Sequence, residues 1–266
     1  VAGEGGEFVP TTDRFGVALA DFVRCSECGH LQLSAMPEVA SLYEEAESGA
    51  YEEEEEGQRA TARGVLERIE RHAEGRRLLD YGAWVGFLAS AAGRRGWSAT
   101  GVEPSRWAAE RARSRGVDVV EEPVGPFDAI VLGDVIEHLP DPGAVLDRLA
   151  GLLSPGGVIW IATPDAGSRV ARVLGRRWWS VIPTHLHLFN RRSLTRLLER
   201  HGFELLAMRT SPKTFTVAYY VSRLGGYWPP LARALVGLAR AAGVADRLWT
   251  PDFRDRVEVV ARRVVP

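Results

Sequence analysis

The chain of 266 residues carries 33 Lys and Arg against 35 Asp and Glu, a net charge of −2, and only two cysteines. That length suits one α/β domain with extensions and a full hydrophobic core. The charge balance lacks the basic field that drives phosphate-backbone binding, so nucleic acid is excluded as a partner. Two cysteines exclude a disulfide scaffold and suit a reducing cytosol; no secretory leader pattern opens the chain, and no apolar run reaches the 18 or so residues of a transmembrane helix. The expectation is a cytoplasmic protein.

Residues 1–40 are rich in Gly, Pro and turn formers, with short β-like runs at Gly16 to Leu19 and His30 to Leu33, and open an N-terminal appendage over residues 1–58. Within it, RCSECGHLQL holds Cys25 and Cys28 in a C-x-x-C-G knuckle. Two thiolates suit half of a tetrahedral zinc site, which needs four ligands. His30 offers a third and no fourth stands nearby, so the knuckle reads as an orphan with both thiols free, and no metal is assigned. The acid run Glu52 to Glu56 reads as a solvated helix face or a mobile loop, with no chemistry assigned. Thr61 to Ala73 fits an amphipathic helix through Val65, Leu66, Ile69 and His72.

RLLDYGAWVGFLASAAGRRGWSATGVEPS, from Arg77 to Ser105, reads as strand, glycine turn, helix, strand and acid. Leu78, Leu79 and Tyr81 end a buried strand, Gly82 and Gly86 bracket a turn, Phe87 to Arg95 fits a helix and Ser98 to Val102 the next strand. Glu103 falls at the carboxyl end of that second strand. In an open parallel sheet this end faces the ligand crevice, where a carboxylate can accept both ribose hydroxyls of an adenosine and glycines let the backbone come close. The third glycine of a dinucleotide fingerprint is missing, which disfavours an NAD-dependent oxidoreductase. Strands at 77–81, 98–102, 117–120, 127–132 and 156–162 alternate with helices near 87–95, 105–115, 143–153 and 191–201, the pattern of a parallel sheet covered on both faces. Phe203 to Thr210 and Val257 to Val264 supply two last strands. Between them, residues 211–252 form an insert with helical spacing at Leu231, Leu235, Leu238 and Ala242, read as a helical pair, an acceptor lid or a dimer contact.

The turn G-A-W-V-G resembles the glycine loop of class I S-adenosylmethionine (SAM) methyltransferases. FDAIVLGDVIEHLPDPGAVLDRLAGLLSPGGVIWIATPD, Phe127 to Asp165, and HLHLFNRRSLTRLLERHGFELL, His185 to Leu206, resemble the ubiquinone-biosynthesis-like small-molecule members. The similarity covers residues 60–210 and the last strand. It implies a Rossmann-like, doubly wound, mostly parallel seven-stranded sheet with an antiparallel last strand, in a methyltransferase domain over 59–266. It also implies SAM as cofactor, S-adenosylhomocysteine (SAH) as product and a small-molecule acceptor. The implied cofactor set is Asp80, Tyr81, Gly82, Ala83, Trp84, Gly86, Glu103, Pro104, Gly133 and Asp134. In such enzymes the helix before the first strand commonly covers the cofactor, so Tyr43 and Tyr51 come within reach. Some relatives carry a zinc ribbon whose upstream C-x-x-C pair this sequence lacks.

Two departures stand out. Trp84 replaces the middle glycine of the loop, and an indole adopts positive φ less cheaply than glycine. Its ring either turns outward or narrows the cofactor pocket. Only VEEPVGP separates Val119 from Phe127, so an adenine-side acid has to come from Glu121 or Glu122, unless both are a solvated turn.

Methyl transfer needs alignment above all, and a base where the acceptor has a high pKa. Six histidines are present. His185, after the fifth strand in PTHLHLF, is the preferred base, with His138 of EHLPDP second. His187 shares the face of His185 if that piece is extended, and His201 reads as a helix-terminal residue. Trp178 and Trp179 either wall an acceptor pocket or pack on the insert. The function expected is methylation of a small molecule, oxygen ahead of carbon or nitrogen, by a monomer or homodimer. The rival is a noncatalytic binding protein of the same fold.

Overall fold

A computed structural model describes residues 15–37 and 54–264. Continuous apolar runs form the middle of the sheet, because strands covered on both faces cannot alternate with polar residues. Its strands are β3 (Arg77–Tyr81), β4 (Ser98–Val102), β5 (Asp118–Val119), β6 (Phe127–Gly133), β7 (Leu153–Pro164), β9 (Phe203–Thr210) and β12 (Arg256–Arg263). The order is β5-β4-β3-β6-β7-β12-β9. Pairing is parallel from β5 to β7, and β12 lies antiparallel between β7 and β9. The chain runs outward from β3 to β5 and then returns to β6, so the order reverses between β3 and β6. A crevice opens at the carboxyl ends there.

Both faces are covered. On one, α4 (Pro142–Leu152) and α6 (Arg191–Arg200) place Leu146, Leu149, Leu194 and Leu198 against Ile130, Leu132 and Ile159. On the other, α1 (Glu55–Ile69) and α2 (Phe87–Arg94) place Val65, Leu66, Ile69 and Ala92 against Leu78, Val131 and Trp160. Helix α3 (Arg106–Ser114) starts at a Ser105 cap, whose hydroxyl accepts from the Ala108 N–H.

Several local expectations change. Helix α1 begins at Glu55 and stops at Ile69, earlier at both ends than 61–73. Glu54 is not solvated but 8 % exposed, because its carboxylate accepts from the Thr216 N–H at 2.8 Å and hydroxyl at 2.6 Å, anchoring the helix start to the insert. Tyr43, Tyr51 and the first two acids of the run lie outside the described residues. Gly16 to Leu19 is turn and bend; the strand is β1 (Phe22–Arg24), paired with β2 (Leu31–Leu33). Gly16, at φ +78°, donates its N–H to the Val181 carbonyl, which takes this run out of any ladder. β2 also pairs with β8 (His187–Leu188), so the knuckle is joined to the segment ahead of α6. Helix α5 (Arg169–Leu174) lies in the segment between β7 and β8. The insert holds helices α7 (Val217–Ser222) and α8 (Pro229–Ala241), and a ribbon of β10 (Phe215–Thr216) and β11 (Leu248–Trp249) that the helical spacing did not reveal. Among the described residues no helix is long and apolar enough to cross a membrane.

Candidate active site

A cavity of about 990 Å³ opens at the carboxyl ends of β3, β4 and β6. Its floor is the turn after β3. Gly82 sits at φ +80°, where a Cβ would collide with the Val135 side chain, so both its conformation and its surroundings demand glycine. The N–H groups of Gly82 and Ala83 donate to the Val102 carbonyl at 2.8 and 2.9 Å, which ties the turn to the end of β4.

Trp84 occupies the left-handed region at φ +47°. Its ring meets Trp107 at 5.5 Å between centroids, and Trp107 is not part of the cavity wall. Its backbone N–H donates to Glu103 Oε2 at 2.7 Å, while Glu103 Oε1 accepts from the Ser105 N–H at 2.9 Å. Each carboxylate oxygen thus takes one backbone donor, which fixes its orientation and leaves a lone pair on each for a diol. Burial raises the Glu103 carboxyl, and the two backbone donors oppose that shift. Beneath it Asp80 is buried, accepts from the Ala89 N–H at 3.2 Å and is pushed up to about 7, chiefly by burial and further by Glu103.

Across the crevice Asp134 follows β6 at φ +58° and is gripped by Lys213 of the insert and Arg256 of β12. Burial works against its charge, but these two cations prevail and hold the carboxyl below the usual range.

Next to it lies a polar cluster. The His138 Nδ1–H donates to the Thr184 carbonyl at 2.8 Å and the His185 Nδ1–H to the Ser180 carbonyl at 2.7 Å, so each neutral ring carries its lone pair on Nε2. The rings meet edge to face at 4.7 Å. Burial lowers both, His185 to about 3. Glu137 is 1 % exposed and is pushed up to about 8 by burial and by the charge of Asp134.

The cavity wall includes Asp80, Tyr81, Gly82, Ala83, Trp84, Glu103, Pro104, Gly133, Asp134 and His138. Two expected residues stand outside it. Gly86, at φ +82°, caps α2, and a Cβ there would come within 2.9 Å of the Ala112 Cβ; it allows α3 to approach and touches no ligand space. His185, the preferred base, is 7 % exposed and lies behind His138. The cavity-facing imidazole is therefore His138. Glu121 reaches the wall, whereas Glu122 pairs with Arg148. Trp178 and Trp179 line no part of the cavity; Trp178 is buried and Trp179 donates to Asp255 at 2.7 Å. His30 turns to His187 at 3.0 Å. His201 pairs with Asp147 at 2.6 Å.

No sequence pattern points to Lys213, Arg256 or Glu137. Lys213 lies in an insert without a motif, Arg256 precedes the apolar alternation of its strand by one residue, and Glu137 is one acid within EHLPDP.

The family model for the methyltransferase domain matches residues 53–208, more than half of the chain, and its span contains Glu103, Asp134 and His138. The chain belongs to the class I SAM-dependent methyltransferases. Its cofactor is SAM. Among curated relatives this methyltransferase is similar to the ubiquinone biosynthesis O-methyltransferase of Caulobacter vibrioides, 36 % identical over 104 residues covering 34 % of this chain and 41 % of that one. The enzyme of the same description from Xylella fastidiosa strain 9a5c is 34 % identical over 103 residues, 34 % of this chain and 42 % of that one. The chain spans about two-fifths of the length of these relatives.

Two solved structures share the fold. A SAM-dependent methyltransferase of Thermotoga maritima, described as a possible histamine N-methyltransferase, matches with a TM-score of 0.51 at 19 % identity, over 80 % of this chain and 94 % of that one. Magnesium protoporphyrin IX methyltransferase of Synechocystis PCC 6803 with bound SAH matches with a TM-score of 0.52 at 13 % identity, over 82 % and 88 %.

Proposed function

We propose that this methyltransferase moves a methyl group from SAM to an oxygen of a small-molecule acceptor, at the corner of the cavity where His138 stands. The observation that carries this reading is one continuous cavity that runs from the Glu103 carboxylate to the His138 ring. The curated relatives, described as O-methyltransferases, favour oxygen as the acceptor atom.

Bound SAM supplies the activated methyl, and the chain has to align, exclude water and handle a proton. Glu103 presents its two remaining lone pairs for the ribose hydroxyls, and the turn after β3 leaves no Cβ at Gly82 to hold the ligand off. Asp80 and Tyr81 lie beside that turn. At the opposite wall the His138 Nε2 lone pair, fixed by the Nδ1–H bond to Thr184, is where an acceptor hydroxyl loses its proton. Burial disfavours the imidazolium that results, and the charge of Asp134 favours it. His185, packed behind, positions His138. The methyltransferase domain matched over residues 53–208 favours transfer over a noncatalytic role.

The test is incubation of the purified chain with methyl-labelled SAM and a panel of phenols, catechols and enols, read by mass spectrometry. Transfer of label to an acceptor oxygen is the expected result. Label on nitrogen or carbon alone, or none on any acceptor with SAM bound, contradicts it.

A further inference from the structure

Helix α8 is fastened to the protein by one narrow face. Ala232 and Ala239 are its buried positions, and the turn after it is tied to α7, where the Ala218 N–H donates to the Ala245 carbonyl at 2.9 Å. At about 3.6 residues per turn, Leu231, Ala234, Leu238 and Ala241 fall in a single stripe on a different side of the cylinder. All four are exposed, Leu238 at 66 % and Leu231 at 38 %, and Trp228, which opens the helix, is exposed at 61 %. Arg233 and Arg240 stand on the far side of the helix from the two leucines, so the stripe carries no charge. With Leu224 and Tyr227 of the preceding turn, also exposed, the apolar surface left open is on the order of 600 Å², the upper limit of one patch on an ordinary monomer.

We propose that this face joins two copies of the chain, paired antiparallel along α8 about a two-fold axis. The stripe alternates large and small residues. Under a two-fold axis through the middle of the helix, Leu231 meets Ala241 of the partner subunit and Leu238 meets Ala234 of the partner subunit, because the members of each pair lie equally far from the midpoint. Each leucine fills the space that an alanine leaves, so the stripe is its own complement, as an isologous interface requires. A parallel pair would set Leu against Leu and Ala against Ala and leave gaps. A lipid surface would gain nothing from this alternation of size. Both arginines stay off the seam, which removes like-charge repulsion from it. Two such patches together bury roughly 1,200 Å², where stable protein interfaces begin. The pairing braces the insert, whose base lines the cavity at Lys213 and holds the start of α1 through Thr216 and Glu54.

Sedimentation velocity of the full chain over a dilution series measures the pairing. The expected species has twice the 29.2 kDa of one chain and dissociates on dilution. Leu238→Glu places a charge in the seam of both copies and should weaken the dimer by about 30-fold or more. Arg233→Glu, on the same helix but off the seam, should leave it unchanged. Both residues are exposed, and unchanged far-ultraviolet circular dichroism shows each variant folded. Leu238→Ala sets alanine against alanine and should also weaken pairing, whereas adding Ala234→Leu to it exchanges large and small across the axis and should restore the dimer. A chain that stays monomeric throughout, a monomer that instead floats with anionic lipid vesicles, or a dimer indifferent to Leu238→Glu overturns the proposal.

Discussion

The Trp84 N–H donates to Glu103 Oε2 at 2.7 Å, so the residue that departs most from the glycine loop also orients the acid proposed to hold the ribose. The donor is backbone, and any residue that keeps the turn can supply it. The indole contributes through Trp107 instead.

Replacing Trp84 by glycine separates these effects. Relief of the left-handed conformation gains about 1 kcal/mol, and loss of the half-buried indole costs about 2 kcal/mol or more. Trp84→Gly should therefore be less stable by about 1 kcal/mol in urea unfolding, with SAM affinity nearly unchanged. A marked gain in affinity would show that the ring intrudes on the pocket, and collapse of binding in a folded variant would make it a cofactor contact.

His138, rather than His185, lines the cavity and is the base proposed for the acceptor. With a true acceptor, His138→Gln should lower turnover by about 10²–10⁴-fold while the affinity for SAM stays within about twofold. Near-normal turnover in this variant would move proton transfer away from this corner.

Asp80 ties the site to pH. Its folded-state value of about 7 lies above the ordinary 3.8, so the folded chain holds the extra proton between these limits. Its favourable contribution is complete below the lower value and is lost as pH rises through the upper one. Asp80→Asn cannot ionise. The stability of the variant relative to the parent should rise between about pH 4 and 7, by up to about 1.4 kcal/mol per unit, and level off above that, in urea titrations at each pH. Parallel pH profiles for the two proteins would show that Asp80 is not held protonated.

Local chemistry explains how much of this was legible. Gly82 and Glu103 could be placed because a sharp turn and a strand end impose residue types within a short window, and the buried runs of β6 and β7 fixed the sheet. His138 and His185 were both singled out, but their order along a line into the protein depends on a carbonyl of Thr184 and one of Ser180, which no spacing reports. Lys213 and Arg256 meet Asp134 from 79 and 122 residues away, across an insert and a strand crossing that only tertiary packing creates. Gly86 shows the converse, since its motif position suggested a ligand and its packing against Ala112 explains it without one.

Calorimetric titration of SAH into the parent chain and Glu103→Ala measures whether Glu103 and the turn after β3 hold the cofactor as proposed. One site is expected in the parent, with a loss of roughly 1–3 kcal/mol in the variant, about 5- to 150-fold in affinity, because a buried diol loses its acceptor. Equal affinity in the two proteins, or no heat in the parent, would contradict it.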